Sequence, residues 1–164
     1  MGWLLPVVAL ALLAPGEDRS IRPVTFLVQG MVCKACVNEV SPALRKLPSL
    51  EGLNLDLTPP IARFKISTDK VALQEVVLAI RSAGKAFDGK LIVVEPTGLS
   101  DKVLDNLDRA ISAVPGVKNS GAPDEHGTRY ITFDLSKRTK LGDLFAAARS
   151  AGVELSTPPA EPSK

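Results

Sequence analysis

Arg81-Ser82-Ala83-Gly84 recurs as Arg149-Ser150-Ala151-Gly152, and this recurrence decides how the chain is divided. Sliding the sequence against itself by 67 to 68 residues also sets Leu47-Pro48 on Val114-Pro115, Leu50 on Val117, and Arg63-Phe64-Lys65-Ile66 on Tyr130-Ile131-Thr132-Phe133. Self-similarity at a fixed spacing implies two copies of one supersecondary plan.

Hydrophobic periodicity gives that plan. Val24-Thr25-Phe26-Leu27-Val28 reads as a strand, and Val37, Val40, Leu44 and Leu47 recur at helical spacing. Pro42 falls inside that helix, so the helix either kinks or restarts at Ser41. Leu53 to Leu57 alternates, Thr58-Pro59-Pro60 breaks the pattern, and Ala62 to Ile66 resumes it as the return strand of a hairpin. Leu73, Val76, Val77 and Ile80 form a second helix face that Gly84 ends, leaving Ala86 to Asp88 for a short last strand.

In the second copy, Leu91 to Glu95 is the first strand, and the helix turns Val103, Leu104, Leu107, Ile111 and Val114 inward. A turn at Asn119 to Gly127 precedes a strand from Arg129 to Leu135. The closing helix carries Leu141, Leu144, Phe145 and Ala148, is capped by Gly152, and is followed by Val153-Glu154-Leu155 as a final strand. The order strand, helix, strand, strand, helix, strand is that of the ferredoxin-like split βαβ motif. The expected fold class is therefore α+β: tandem ferredoxin-like βαββαβ sandwiches, each an antiparallel four-stranded sheet with two helices on one face. Domain boundaries are expected at 22–89 and 90–156, with a disordered tail at 157–164.

Upstream, Trp3 to Ala14 is an uncharged apolar run. As a helix it would reach only about 18 Å, short of the roughly 30 Å of a bilayer core. A signal peptide over residues 1–16 is the expectation, with export to a periplasmic or secreted location, anchored if the leader stays uncleaved. No membrane span is expected beyond that segment. A formal net charge of +2 with both signs interspersed, and 4% aromatic residues, argue against a nucleic-acid partner.

The two cysteines lie in Gly30-Met31-Val32-Cys33-Lys34-Ala35-Cys36, where the first strand gives way to the first helix. Thiolates at a helix N-terminus are favoured by the unpaired N–H groups there. Soft thiolates select Cu(I) and similar ions, and two of them suit near-linear coordination. Zinc normally takes four ligands, and the chain offers two cysteines and one distant His126 in a turn.

This stretch resembles the GMxCxxC signature of heavy-metal-associated domains, the family of copper chaperones, modules of metal-transporting P-type ATPases, and periplasmic mercury-binding proteins. The resemblance covers residues 24–90 with its motif, with Val32 where the family usually has Thr, and reaches the second half only as an echo of fold. It implies an exported, non-catalytic carrier, chaperone or sensor that binds one soft ion through Cys33 and Cys36. Cu(I) fits best, with Hg(II), Ag(I), Zn(II) and Cd(II) as further candidates. The implied partner is a metal donor or acceptor, such as a P-type ATPase or another metallochaperone. Met31 and Lys85 are implied in supporting roles: Met31 packs inward, and Lys85 stands where copper chaperones place a loop lysine that offsets the charge of the site.

At an offset of 67, Ser100 stands against Cys33 and Val103 against Cys36, so the second copy is expected to be degenerate, with Ser100 or Asp101 capping its helix. Two other classes compete: a thiol-disulfide oxidoreductase using the CxxC pair, and an interaction module with vestigial cysteines. An enzyme has no other support. The chain shows no nucleophile triad, phosphate-cradling glycine loop or recognisable carboxylate pair.

Overall fold

Alternate residues of β1 (Ile21–Gln29), namely Val24, Phe26 and Val28, are buried. Pairing carries that alternation across the sheet. Phe26 faces Ala62 of β3 (Pro60–Ser67) on one side and Leu91 of β4 (Asp88–Val94) on the other, and Leu91 faces Ile131 of β6 (Thr128–Phe133). Residues directly opposite in an antiparallel pair share a face, so these side chains form one apolar surface. The helices α1 (Lys34–Leu44), α2 (Leu73–Ser82), α3 (Asp101–Ser112) and α4 (Leu141–Ser150) cover it, and their Val40, Leu44, Ile80, Leu107, Ile111 and Leu144 join the same core. Each such Leu, Ile or Phe taken out of water is worth about 1.5–3 kcal/mol. The computed structural model describes residues 21–158. The expected signal peptide lies outside them, as do residues 159–164 of the expected tail.

The fold is α+β with an antiparallel sheet, but the sheet is not divided as the sequence suggested. With β2 (Glu51–Leu57) and β5 (Val117–Ser120) included, there is a single six-stranded sheet in the order β2-β3-β1-β4-β6-β5. The first half, β1-α1-β2-β3-α2-β4, has the expected ferredoxin-like order. The second half starts on the same β4. Of the expected short strand at Ala86 to Asp88 only Asp88 is in a strand, and it continues through Gly89 and Lys90 into the expected new strand at Leu91 to Glu95 as the single β4, so the boundary expected at 89/90 falls inside it. The physical reason is that Gly89 continues the extended chain without bulk: a Cβ there would press on Ile80 Cδ1 at 2.8 Å.

Sharing β4 has a second effect. The edge on which the second half would place its own last strand is taken by β1. Val153 to Leu155 is accordingly not a strand, and only Ser156 pairs, as an isolated bridge to Val94. The bridge sits where β1 offers Pro23, which has no N–H to give. Val94 N–H donates to Ser156 O at 2.7 Å and Ser156 N–H returns a bond to Val94 O at 2.9 Å. Thr157 Oγ1 then donates to Pro23 O at 3.1 Å and Thr25 Oγ1 to Pro158 O at 3.3 Å. The beginning of the expected disordered tail is thus tied to β1 and β4.

Thr25 and Ile92, which the 67-residue offset equates, face each other in the β1–β4 pair. The halves are therefore arranged about an approximate two-fold axis through this pair, each completing its sheet with the other's first strand. α2 also grips the second half. Gln74, 2% exposed, donates through Nε2 to Thr139 Oγ1 at 2.7 Å and accepts the Thr139 N–H at 2.7 Å, while Leu73 N–H donates to Thr139 O at 2.9 Å.

Smaller differences have local causes. β5 occupies part of the span read as a turn after Asn119, because four residues are too few to show alternation. α1 runs unbroken through Pro42, whose missing bond would go to Asn38, an exposed residue that water can serve. Gly152 adopts the left-handed φ of +80° that suits a glycine after a helix, whereas Gly84 does not.

Candidate metal centre

The turn from β1 into α1 is built on Gly30 and Met31. Gly30 has φ +86°, and a Cβ there would overlap the Ala86 carbonyl. Glycine at this position therefore lets the loop 30–33 lie against the loop between α2 and β4. Met31 is fully buried and joins the core, with its N–H bonded to Val28 O at 3.3 Å. It anchors the loop from below and has its thioether among apolar side chains.

Cys33 is the N-cap of α1, in extended conformation with φ −146° and ψ 158°. Its Sγ accepts the Cys36 N–H at 3.2 Å, and its carbonyl accepts the Val37 N–H at 3.3 Å. A cysteine thus does the work normally given to Ser or Asp at this position. Cys36 lies one turn in, half-buried against the core, and the two are joined as a disulfide with Cα atoms 5.2 Å apart. Val32, Lys34 and Ala35 are exposed around them.

Lys85 is exposed on the loop that Gly30 admits, and no ion pair among the described residues involves it. The structure therefore brings the cysteine loop and the Lys85 loop together. His126 is elsewhere. It is exposed in a turn that Asp124 closes by accepting the His126 and Thr128 N–H groups at 2.9 and 2.8 Å, with Nε2 3.5 Å from Glu125 Oε1. Because β4 is antiparallel to β1, that turn and the loop 95–100 lie at the opposite end of the sheet from the cysteines, roughly 20 Å away at the rise of a strand. Among the described residues no group of three or more His, Cys, Asp or Glu could hold a metal ion. Once reduced, the pair offers two sulfur donors, a set that fits a soft ion of low coordination number and leaves further positions to a partner.

Ser100 holds the N-cap of α3, the place Cys33 holds in α1, and Val103 is half-buried against the core as Cys36 is. The Ser100 side chain makes no capping bond; Asp101 supplies the acidic residue of the first turn instead.

At the base of the Lys85 loop, Asp88 Oδ1 accepts from Arg81 Nε and from the Gly89 N–H, both at 2.9 Å. Burial alone would raise the Asp88 pKa; the bonds from Arg81 and Gly89 and the charges of Arg81 and Lys90 outweigh it and hold the carboxyl below its ordinary value. A depressed folded-state pKa contributes stability that is present above roughly pH 4 and is lost as pH falls through the folded value. Both side chains are more than a third exposed, so screening limits the effect to under about 1 kcal/mol. Asp88→Asn is expected to lower stability at pH 7 and to converge with the parent in acid; stability profiles that stay parallel down to pH 2 would remove this assignment.

Sequence reasoning missed the most buried charges among the described residues. Arg129 on β6 is fully buried. Its Nε and Nη2 donate to Glu95 Oε2 at 3.2 and 3.1 Å, and its Nη1 donates to Asp108, to Ser120 O at 2.7 Å and to Gly121 O at 2.9 Å. The available signal was a charge at an inward position of an alternating strand.

No protein-family model matches the chain. It is 31% identical over 141 residues to the copper-transporting ATPase 2 of Rhizobium meliloti, covering 84% of this chain and 17% of that protein. It is 30% identical over 81 residues to the copper-transporting ATPase RAN1 of Arabidopsis thaliana, covering 49% and 8%. The chain thus spans less than a fifth of the length of these curated relatives. Among solved structures, oxidised MerP from Ralstonia metallidurans matches 43% of this chain and 96% of its own, at 24% identity and a TM-score of 0.40. The water-soluble region of the P-type ATPase CopA from Bacillus subtilis matches 84% and 91%, at 16% identity and a TM-score of 0.42.

Proposed function

The chain is a relative of the heavy-metal-associated domain proteins, and from that premise we propose that it is a non-catalytic carrier of one soft metal ion. The observation that carries the reading is the placement of Cys33 and Cys36 at the cap and first turn of α1, on a loop pressed against the one bearing Lys85. Reduced, these thiolates hold Cu(I) best, since a +1 ion with two thiolates is satisfied in two-coordinate form; Ag(I) and Hg(II) share that chemistry, and Zn(II) and Cd(II) need ligands from a second molecule. Lys85 offsets the resulting net charge of the site. The relatives named for copper transport support a metal-transporting ATPase or another metallochaperone as donor or acceptor, which would enter as a third thiol ligand. Export to the periplasm or cell exterior is part of the proposal, on the strength of the apolar run at Trp3 to Ala14.

Titrating the reduced full chain with Cu(I) against a competing chelator tests this. One ion per chain is expected, and the Cys33→Ser, Cys36→Ser double variant is expected to lose at least about tenfold in affinity, the scale on which even changes to the groups that orient a metal's ligands act. A smaller loss would sink the reading.

A further inference from the structure

Antiparallel pairing lines up Asn54, Arg63, Thr25, Ile92 and Tyr130 in one row across β2, β3, β1, β4 and β6. Phe26 beside Thr25 joins the core under the helices, so by the alternation of a strand this row lies on the opposite face of the sheet. Thr25, in the middle of the row, is nevertheless 1% exposed. The end of the chain passes over it. Ser156 is bonded to Val94 on β4, Thr157 to Pro23 and Pro158 to Thr25 on β1, so the chain crosses the sheet from β4 toward β3 as it runs on.

Arg63 of β3 stands next in that direction, directly opposite Thr25. Asp56 holds its Nη1. Its Nε is buried, and among the described residues it is the one buried side-chain nitrogen or oxygen with no hydrogen-bond partner. A buried donor left unmade is costly, so the position calls for an acceptor. Arg63 and Pro158 line one cavity of about 70 Å³ together with Thr25, Gly52 and Lys65. At roughly 30 Å³ per water, it has room for a carboxylate head and for no large ligand.

We propose that the chain continues past Pro158 as an extended strap across β1 and β3, and that Glu161 seats its carboxylate on Arg63 Nε, beside Lys65. Glu161 is the only acidic side chain beyond Glu154. Pro158, Pro159 and Pro162 each fix φ at about −65°, which favours the polyproline II conformation. At about three residues per turn, Glu161 returns to the side that Pro158 presents to the sheet. It lies about 9 Å farther on at a rise of about 3.1 Å per residue, roughly two inter-strand spacings of about 4.8 Å. The end of the second half is thereby fastened to a strand of the first.

The test compares the full chain with Glu161→Gln and with a chain ending at Pro158, by urea unfolding. The folding equilibrium constant is expected to fall about tenfold in both, the scale of one hydrogen bond to a charged group. A chain ending at Pro158 that is as stable as the full chain overturns the strap, and a loss on truncation that Glu161→Gln does not reproduce overturns the carboxylate. A double-mutant cycle identifies its partner: in an Arg63→Gln background, Glu161→Gln is expected to change stability by less than about twofold. An undiminished effect there overturns the pairing. Should Arg63→Gln fail to fold, hydrogen exchange at the Arg63 Nε–H decides, with at least about tenfold faster exchange expected in Glu161→Gln; unchanged exchange overturns the pairing. Stability that rises with protein concentration would mean that the tail of a second copy fills the cavity, which overturns a strap within one chain.

Discussion

Arg129→Met is expected to cost about 3–5 kcal/mol of folding stability, the range for removing one partner of a buried ion pair. The cost arises on the other side of the contact. Glu95 is 3% exposed and has both of its Arg129 bonds on one oxygen, so the substitution leaves a carboxylate in the core with no countercharge. The carbonyls of Ser120 and Gly121 lose their donor as well. Urea unfolding of the two proteins measures the difference. A second variant separates the charge from the packing. At the offset of 67, Glu95 and Arg129 correspond to Val28 and Ala62, both fully buried in the first half. Glu95→Val with Arg129→Ala therefore installs the apolar solution the chain already uses once, and should recover most of the loss, because apolar replacement of a buried pair is often neutral or stabilising. A double variant as unstable as the single one would show that Asp108 and the strand-end carbonyls, not Glu95, depend on Arg129.

Gly30→Ala is expected to lower stability by about 3 kcal/mol, combining roughly 1–2 kcal/mol for a left-handed alanine with the overpacking of a site that has no room. The obstacle is the Ala86 carbonyl, which is backbone and cannot swing aside. The comparison is Gly98→Ala. Gly98 has a similar φ of +80° but nothing within 4 Å of its added Cβ, so it isolates the conformational part and should cost only about 1–2 kcal/mol. Thermal or urea unfolding reads both; equal losses would mean that the close approach of the two loops contributes nothing. Because the overlap pushes the cysteine loop away from the Lys85 loop, Gly30→Ala should also weaken Cu(I) binding by the reduced protein, while Gly98→Ala leaves it unchanged.

Local pattern carried much of this structure in the sequence. Val24, Phe26 and Val28 announced β1, the stripes through Val40 and Ile80 announced α1 and α2, and Gly30 to Cys36 marked a strand-to-helix turn whose cysteines the structure places at a helix cap. The shared strand was not legible. Asp88-Gly89-Lys90 looks like a linker by composition, and only the pairing of Gln29 with Asp88 and of Thr25 with Ile92 shows that both halves pull it into one extended segment. The fate of Val153 to Leu155 followed from the same fact, since a strand can pair only where an edge is open. Arg129 was passed over because periodicity treats a charge in a strand as an outward residue, and its burial becomes intelligible only once Glu95 is seen beside it.

β4 also decides whether the protein has a joint. In a string of separate modules, a cut between two of them frees each one whole. Here a chain ending at residue 87 would strip Gly89, Leu91 and Val93 from beneath α2, and would bare the edge of β1 on which Gln29 and Gly30 rest. A chain extended to residue 94 would keep the first four strands but leave Leu91 without Ile131, and Gln74 without Thr139. The segment that meets Gly30 runs directly into the strand that both halves share, so any cut within 88–94 takes part of β4 from one half or the other.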